Sequence, residues 1–418
     1  MDERAPIPDL ADAPVLVEPD DRVERGSVHT GTGAYRRIAA ALFLAGFATF
    51  SLLYCVQPLL PEFARDFGVG AAESSLALSF TTGALAIAIV AAAALSERIG
   101  RRGLMAGSMM GAAAITILAG LTQGWPAFLA LRAAEGVVLG GVPAVAMAYL
   151  AEEIDPAGLG RAMGVYVAGT AFGGMIGRVG TGILVEALSW RAAIVVVGLF
   201  GLASAAAFFL LLPPSRHFRP RHGLGIGHHL AAWRGHLADG RLLALFAIAF
   251  LAMGAFVAVY NYAGFRLTAP PYGLDQTGLG LVFLVYTAGV VGSSLVGGLA
   301  DRRGRYRALA LCIAIAIIGI ATTLLTPLPL VIAGMAMMTF GFFGAHAVAS
   351  GWVGRLARGS KGHASSLYLL GYYLGSSVLG SAGGWFWQAA GWPGVVAFTI
   401  GLFALALLAA RRVDRAAG

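Results

Sequence analysis

Three charged residues, Arg132, Glu135 and Arg178, stand well inside long apolar runs, where an ionisable group is expensive and so points to function. Arg132 and Glu135 are three positions apart, which places them on one face of a helix. At about 1.5 Å of rise per residue, Glu135 falls roughly 12 Å below one end of its run, and Arg178 reaches a similar depth on the next. The two runs are antiparallel neighbours in sequence, so the three charges can meet. Three chemistries are open to such a set. Glu135 acts as a proton-carrying acid whose protonation is coupled to ligand release, or the arginines bind an anionic ligand, or the trio is a static polar cluster. A carboxylate beside two arginines is harder to protonate unless one arginine moves away during the cycle.

A second set is polar without charge. Tyr54 and Gln57 in the first apolar run and Tyr260 and Asn261 in the seventh occupy similar depths, and Tyr372 with Tyr373 adds aromatic surface in the eleventh. Tyrosine and amide groups can hydrogen-bond a ligand while their rings supply apolar area. The same residues also serve as interfacial anchors and interhelical partners. His346 reads first as a hydrogen-bonded packing residue and second as a proton relay.

The elements that must position these side chains follow from composition. Of the 418 residues 58% are hydrophobic and only 12% are charged, with 59 glycines, which lies outside the range of a soluble domain. The charges are confined to short intervals between apolar runs of about twenty residues, the length that spans a hydrocarbon core. The expected fold is an all-α membrane protein of about twelve transmembrane helices in two six-helix bundles. The formal charge of +8 needs no nucleic-acid partner, because its arginines sit where a topology rule would put them. Arg36, Arg37, Arg98, Arg101, Arg102, Arg161, Arg216, Arg302, Arg355 and Arg411 all fall on one side if the runs alternate, which makes both termini cytoplasmic.

The expected organisation is a disordered cytoplasmic tail over 1–35, a first bundle over 36–213, a cytoplasmic linker over 214–241 and a second bundle over 242–412. Cys55 and Cys312 lie inside apolar runs and suggest neither a disulfide framework nor a metal site. His228 and His229 in the linker lack further ligands at suitable spacing, and Glu152, Glu153 and Asp155 read as a solvated loop. No nucleotide-binding loop of the GxxxxGK type and no His-Glu-x-x-His run occurs. No cofactor is expected, and an intramembrane enzyme has little support.

The segment Ala93 to Arg102, AALSERIGRR, returns as Gly297 to Arg307, GGLADRRGRYR, each time joining two apolar runs. Gly177 and Gly182 correspond to Gly380 and Gly384, and the break at Trp190 to the break at Trp392. A parallel six-plus-six repeat is one known plan for a secondary transporter. Glycines spaced by four, as in Gly169, Gly173 and Gly177, let helices approach closely enough to slide.

These residues resemble the major facilitator superfamily. Leu95 to Arg102 is similar to its signature between the second and third helices, with Glu97 in place of the usual aspartate, and Leu299 to Arg305 is a closer copy between the eighth and ninth. Arg132, Glu135, Gly136 and Gly140 resemble a signature of drug and proton antiporters. Gly173, Gly177, Gly180 and Gly182 resemble a glycine-rich antiporter signature, with Arg178 where that pattern has proline. Tyr54 to Pro61, Tyr260 to Tyr262 and Tyr368 to Trp387 look like a bacterial subgroup of inner-membrane permeases grouped with sugar and drug efflux proteins.

The resemblance implies a monomer in the bacterial inner membrane, with lipid, a small-molecule substrate and protons as its partners. It also implies a gate made of Glu97, Arg98, Gly100, Arg101 and Arg102 with Asp301, Arg302, Gly304 and Arg305, locking the cytoplasmic side while the outer side is open. The expected function is secondary transport by alternating access, as proton-coupled efflux of a small organic compound or drug. The alternatives are uptake or export of a sugar or organic anion and, in another class, a non-transporting receptor or an intramembrane enzyme.

Overall fold

The computed structural model describes residues 27–215, 226–357 and 360–415, with the side chains of Ala93, Ala94, Glu97, Arg98, Ile99, Ile226, His228, Asp301 and Arg415 outside the described set. The segment expected as a tail lies outside it up to residue 26, and helix begins at Gly33. Regular structure among the described residues is helical, with one isolated bridge between Val28 and Ile154.

Ten helical segments are long and apolar enough to cross a membrane. The last of these, Lys361–Asp414, is two crossings: Ala390 and Gly391 leave helical geometry, and the Phe386 and Phe398 rings stack at 4.3 Å, which no straight helix permits. The 32-residue glycine-rich helix Pro156–Ala187, packed along Gly33–Tyr54, completes the set of twelve. In chain order the spans are Gly33–Phe67, Ala71–Ala92 (helical on to Ile99), Arg101–Leu121, Trp125–Glu153, Pro156–Ala187, Trp190–Leu211, Gly240–Thr268, Gln276–Ala300 (on to Arg303), Arg305–Thr322, Leu328–Leu356, and the two arms of the last segment. An even number of crossings puts both termini at one end of the bundle, the terminal end; the other is the far end.

Local chemistry explains the boundaries. Thr32, Asp155, Ser189, Asp239 and Asp275 each accept a backbone N–H at a helix start, and Pro126, Pro156 and Pro329 occupy first turns. The repeated loops pivot on Gly100 (φ 85°, ψ 156°) and Gly304 (φ 87°, ψ 145°), a region open essentially to glycine alone. Two loops with one backbone geometry make the repeat structural as well as sequential.

The halves also repeat their packing. Gly169 and Gly173 rest on the carbonyls of Phe43 and Phe47, and Gly371 and Gly375 rest on those of Phe246 and Phe250. In the same way Gly141 meets Ser108 and Gly344 meets Cys312. Between the halves, the second span lies on the eleventh and the fifth on the eighth, toward the far end. Ser75 donates to Ser381 at 2.9 Å, Ser377 donates to the Ser79 carbonyl at 2.8 Å, and Tyr262 donates to the Ser75 hydroxyl at 3.2 Å. Gly182 packs on Gly280, and the Gln276 side chain donates to Glu62 at 2.7 Å.

Between the bundles the chain forms a helix, Ile226–Ala238, within the stretch expected as a linker. Its His229 Nδ1 lies 2.9 Å from His363 Nε2, and His236 Nε2 lies 3.2 Å from the Ser360 carbonyl, so this helix rests on the start of the eleventh span.

Candidate functional site

The sequence expectation that Arg132, Glu135 and Arg178 meet is corrected by the structure, which sorts them into two sites. Arg132 and Glu135 are 1% and 0% exposed and form an ion pair through Nη1 and Oε2. Arg132 also donates from Nη2 to the Leu53 carbonyl at 2.9 Å and from Nε to the Ala77 carbonyl at 3.0 Å. One guanidinium thus ties the fourth span to the first and second. The close approach has a cause in the same helix: Gly136 lies on the Thr81 carbonyl, where a Cβ would come within 2.2 Å. Glu135 Oε1 is buried without a hydrogen-bond partner.

Arg178, 2% exposed, turns away from that pair toward the axis of the bundle. Its Nε donates to Gln57 Oε1 at 2.7 Å and its Nη1 to the Gly174 carbonyl at 2.5 Å. The guanidinium carbon lies 4.0 Å from the Tyr54 ring centre, 4.7 Å from Tyr286 and 5.3 Å from Phe283. No carboxylate pairs with Arg178 among the described residues. Stacking over rings returns about 0.5–2 kcal/mol per contact, whereas burying an ion costs roughly several kcal/mol. Arg178 is therefore a cation whose counter-charge is missing from its surroundings.

From Arg178 a polar chain crosses between the halves. Gln57 Nε2 donates to Asn261 Oδ1 at 2.8 Å, and Asn261 Nδ2 reaches the Gly380 carbonyl at 3.4 Å. Tyr54, Gln57, Asn261 and Arg178 thus converge, from the first, seventh and fifth spans. Tyr260 sits beside them, with its hydroxyl 2.6 Å from Thr339 Oγ1 and its ring 5.0 Å from that of Tyr286.

His346 and Tyr372 stand apart from this centre, nearer the terminal end. The His346 ring is 4.8 Å from Tyr372, and its Nδ1 is 3.0 Å from the Tyr368 hydroxyl. Both line a narrow recess, too small for more than about one water, with Phe342, Tyr368, Ile248 and Ala252. Phe342 stacks on Phe256 at 4.0 Å and Phe256 meets Tyr286 at 5.5 Å, so an unbroken row of rings runs from the recess to Arg178.

Of the expected gate, the Glu97, Arg98 and Asp301 side chains lie outside the described residues. Arg101 donates to Glu152 at 2.8 Å and to Ser96, within its own half. Arg102 donates to the Phe209 carbonyl at 2.6 Å, again within that half. Arg302 is exposed at the end of its helix, and Arg305 opens the next.

Sequence reading passed over Tyr286, Phe283, Ser75, Ser79, Ser377 and Ser381. The serines are small residues in apolar helices and carry no period of their own. Tyr286 follows a short 3₁₀ turn, Phe283–Val285, that breaks the eighth span and rotates its ring inward.

The Major Facilitator Superfamily model matches residues 42–345 and 268–417. The uncharacterized MFS-type transporter YybF of Bacillus subtilis is 44% identical over 380 residues, covering 91% of this chain and 94% of that protein. The inner membrane transport protein YnfM of Escherichia coli is 42% identical over 411 residues, covering 98% and 97%. A chloramphenicol resistance protein of Streptomyces lividans is 29% identical over 273 residues, covering 64% and 66%. Among solved structures the nucleoside transporter NupG superposes with a TM-score of 0.72 at 13% identity, covering 90% of this chain and 99% of that one, a likeness of fold.

Proposed function

Because the chain belongs to the Major Facilitator Superfamily, a family of multi-pass membrane transporters rather than enzymes, we propose that it exports a small organic compound in exchange for protons by alternating access. The observation that carries the proton-coupled reading is the state of Glu135. Its carboxylate is wholly buried and holds Arg132 through Oε2, while Oε1 has no hydrogen bond of normal geometry, the Thr116 hydroxyl beside the carboxylate donating to the Ala112 carbonyl. An acid so placed can take a proton on the free oxygen. Protonation removes its charge and weakens its hold on Arg132, whose other bonds go to Leu53 and Ala77. Leu53 precedes Tyr54, the residue beneath Arg178, so the proton site and the bundle centre share one stretch of the first span.

The arginines of the terminal end, including Arg36, Arg37, Arg101, Arg102, Arg302, Arg303 and Arg305, support a cytoplasmic location for that end and for both termini, in the bacterial inner membrane. In that orientation the far-end contacts between the second and eleventh spans close the outer side, as an inward-facing state requires. In this reading the repeated loops, Glu97 to Arg102 and Asp301 to Arg305, form the lock of the opposite state. The likeness to the chloramphenicol resistance protein supports export as the direction.

The test uses inverted membrane vesicles with an imposed acid-inside gradient, following a fluorescent cationic dye and radiolabelled benzoate in wild type and Glu135→Gln. Gradient-driven accumulation of either compound by wild type, abolished in the variant, is expected. Gradient dependence that survives Glu135→Gln would remove Glu135 from the coupling step.

A further inference from the structure

Arg178 carries a full positive charge at the centre of the bundle, and its immediate partners are two neutral oxygens and three aromatic rings. The nearby acid, Glu135, is committed to Arg132. Of the three guanidinium nitrogens, Nε and Nη1 are engaged, while Nη2 has no acceptor among the described residues. From this arrangement we infer that Arg178 is the binding point for the carboxylate of an aromatic organic acid, held at Nη2 and Nε with its ring among Tyr54, Phe283 and Tyr286. This deepens the transporter reading and rests on it.

Three features define the ligand class. The missing counter-charge calls for a single negative charge, because one cation is unpaired. The planar fork of arginine suits a carboxylate in bidentate contact, for which Nε must exchange Gln57 Oε1 for a ligand oxygen. The centre, and the row of rings that Phe256 and Phe342 continue from it, is mostly aromatic and apolar, which suits a flat apolar body better than a sugar.

Binding has a structural consequence in the same bonds. Gln57 holds Arg178 with its oxygen and Asn261 of the other half with its nitrogen. A carboxylate that displaces the oxygen frees the Gln57 side chain and loosens its bond across the halves. Cargo arrival is thereby linked to the contact that must break when the bundles rock apart.

The experiment is equilibrium binding to the purified full-length protein in detergent at constant pH. Thermal unfolding and isothermal titration would be run with millimolar benzoate, with acetate, and with benzamide as the uncharged analogue. Benzoate is expected to raise the melting temperature of wild type, acetate to do so less and benzamide not at all. Arg178→Gln should weaken benzoate binding roughly tenfold or more, and Arg178→Lys should retain part of it. The lysine variant keeps the charge, so it separates a lost ligand from a lost fold. Absence of benzoate binding to wild type, equal binding of benzamide, or undiminished binding to Arg178→Gln would each overturn the assignment. The measurement needs no gradient and no Glu135 variant, so it fails or succeeds separately from proton coupling.

Discussion

Gly173 of the fifth span lies so close to Phe47 of the first that a Cβ on the glycine would sit 2.2 Å from the Phe47 carbonyl oxygen. One repeat later Gly375 stands in the same relation to Phe250, at 2.0 Å. Contacts with backbone cannot relax by turning a side chain, so Gly173→Ala and Gly375→Ala should each destabilise by about 2 kcal/mol. Gly164→Ala and Gly180→Ala, where a Cβ meets nothing within 4 Å, should be neutral or slightly stabilising. Thermal unfolding in detergent would separate the two pairs, and a similar loss in all four would show that the close approach is not the cause.

The Arg132–Glu135 pair should behave as a unit. Removing one partner leaves a buried charge without its opposite, so Arg132→Met alone should cost about 3–5 kcal/mol, and Arg132→Met combined with Glu135→Leu much less. Denaturant titrations of both single variants and the double would supply the coupling energy. Simple additivity would mean that the pair contributes nothing as a pair.

Ser79 and Ser381 bring their hydroxyls within 2.5 Å across the two halves. Replacing both with cysteine should permit a disulfide that holds the far end shut. Under oxidising conditions the doubly substituted protein should stop transporting, and reductant should restore it. Continued transport by fully cross-linked protein would show that the far end need not open.

Asp239 starts the seventh span by accepting the Arg241 amide at 2.9 Å, and its hydrogen bond to the Arg241 side chain is the main reason its carboxyl titrates below the usual value of 3.8. A carboxylate depressed in the folded state contributes stability above its unfolded value and loses it as pH falls through the folded one. Wild type and Asp239→Asn should therefore differ by a constant amount between pH 7 and 5, and the gap should narrow only at more acid pH. Melting curves over that range would show whether the gap instead closes near neutrality.

Twelve spans, the repeated loop and the paired faces of Arg132 and Glu135 were legible in the sequence because apolar run length and helical spacing are one-dimensional quantities. Gln57 and Asn261 were likewise placed at matching depths, and they bond. The destination of Arg178 was not legible. Sequence order makes the fourth and fifth spans neighbours, whereas small residues decide which helices touch. Gly136 draws the fourth span onto the second, and Gly173 and Gly177 draw the fifth onto the first. Arg178 therefore bonds Gln57, and Glu135 keeps Arg132 to itself.

The duplication is complete in packing and broken in charge. The glycine contacts that align the halves set Arg132 and Glu135 against Met335 and Met338, and Arg178 against Gly380, one position from the sequence pairing of Gly177 with Gly380, which they correct. Membrane voltage acts on a charge inside the bilayer with about 2.3 kcal/mol per 100 mV if it crosses the whole field. That force falls on the first bundle and spares the second. A carrier loaded with a monoanion, Glu135 being ionised, moves as a neutral body, and the returning carrier, with the proton on Glu135, moves with the charge of both arginines, so the electrical potential drives the return step and leaves the loaded step to the concentration gradients.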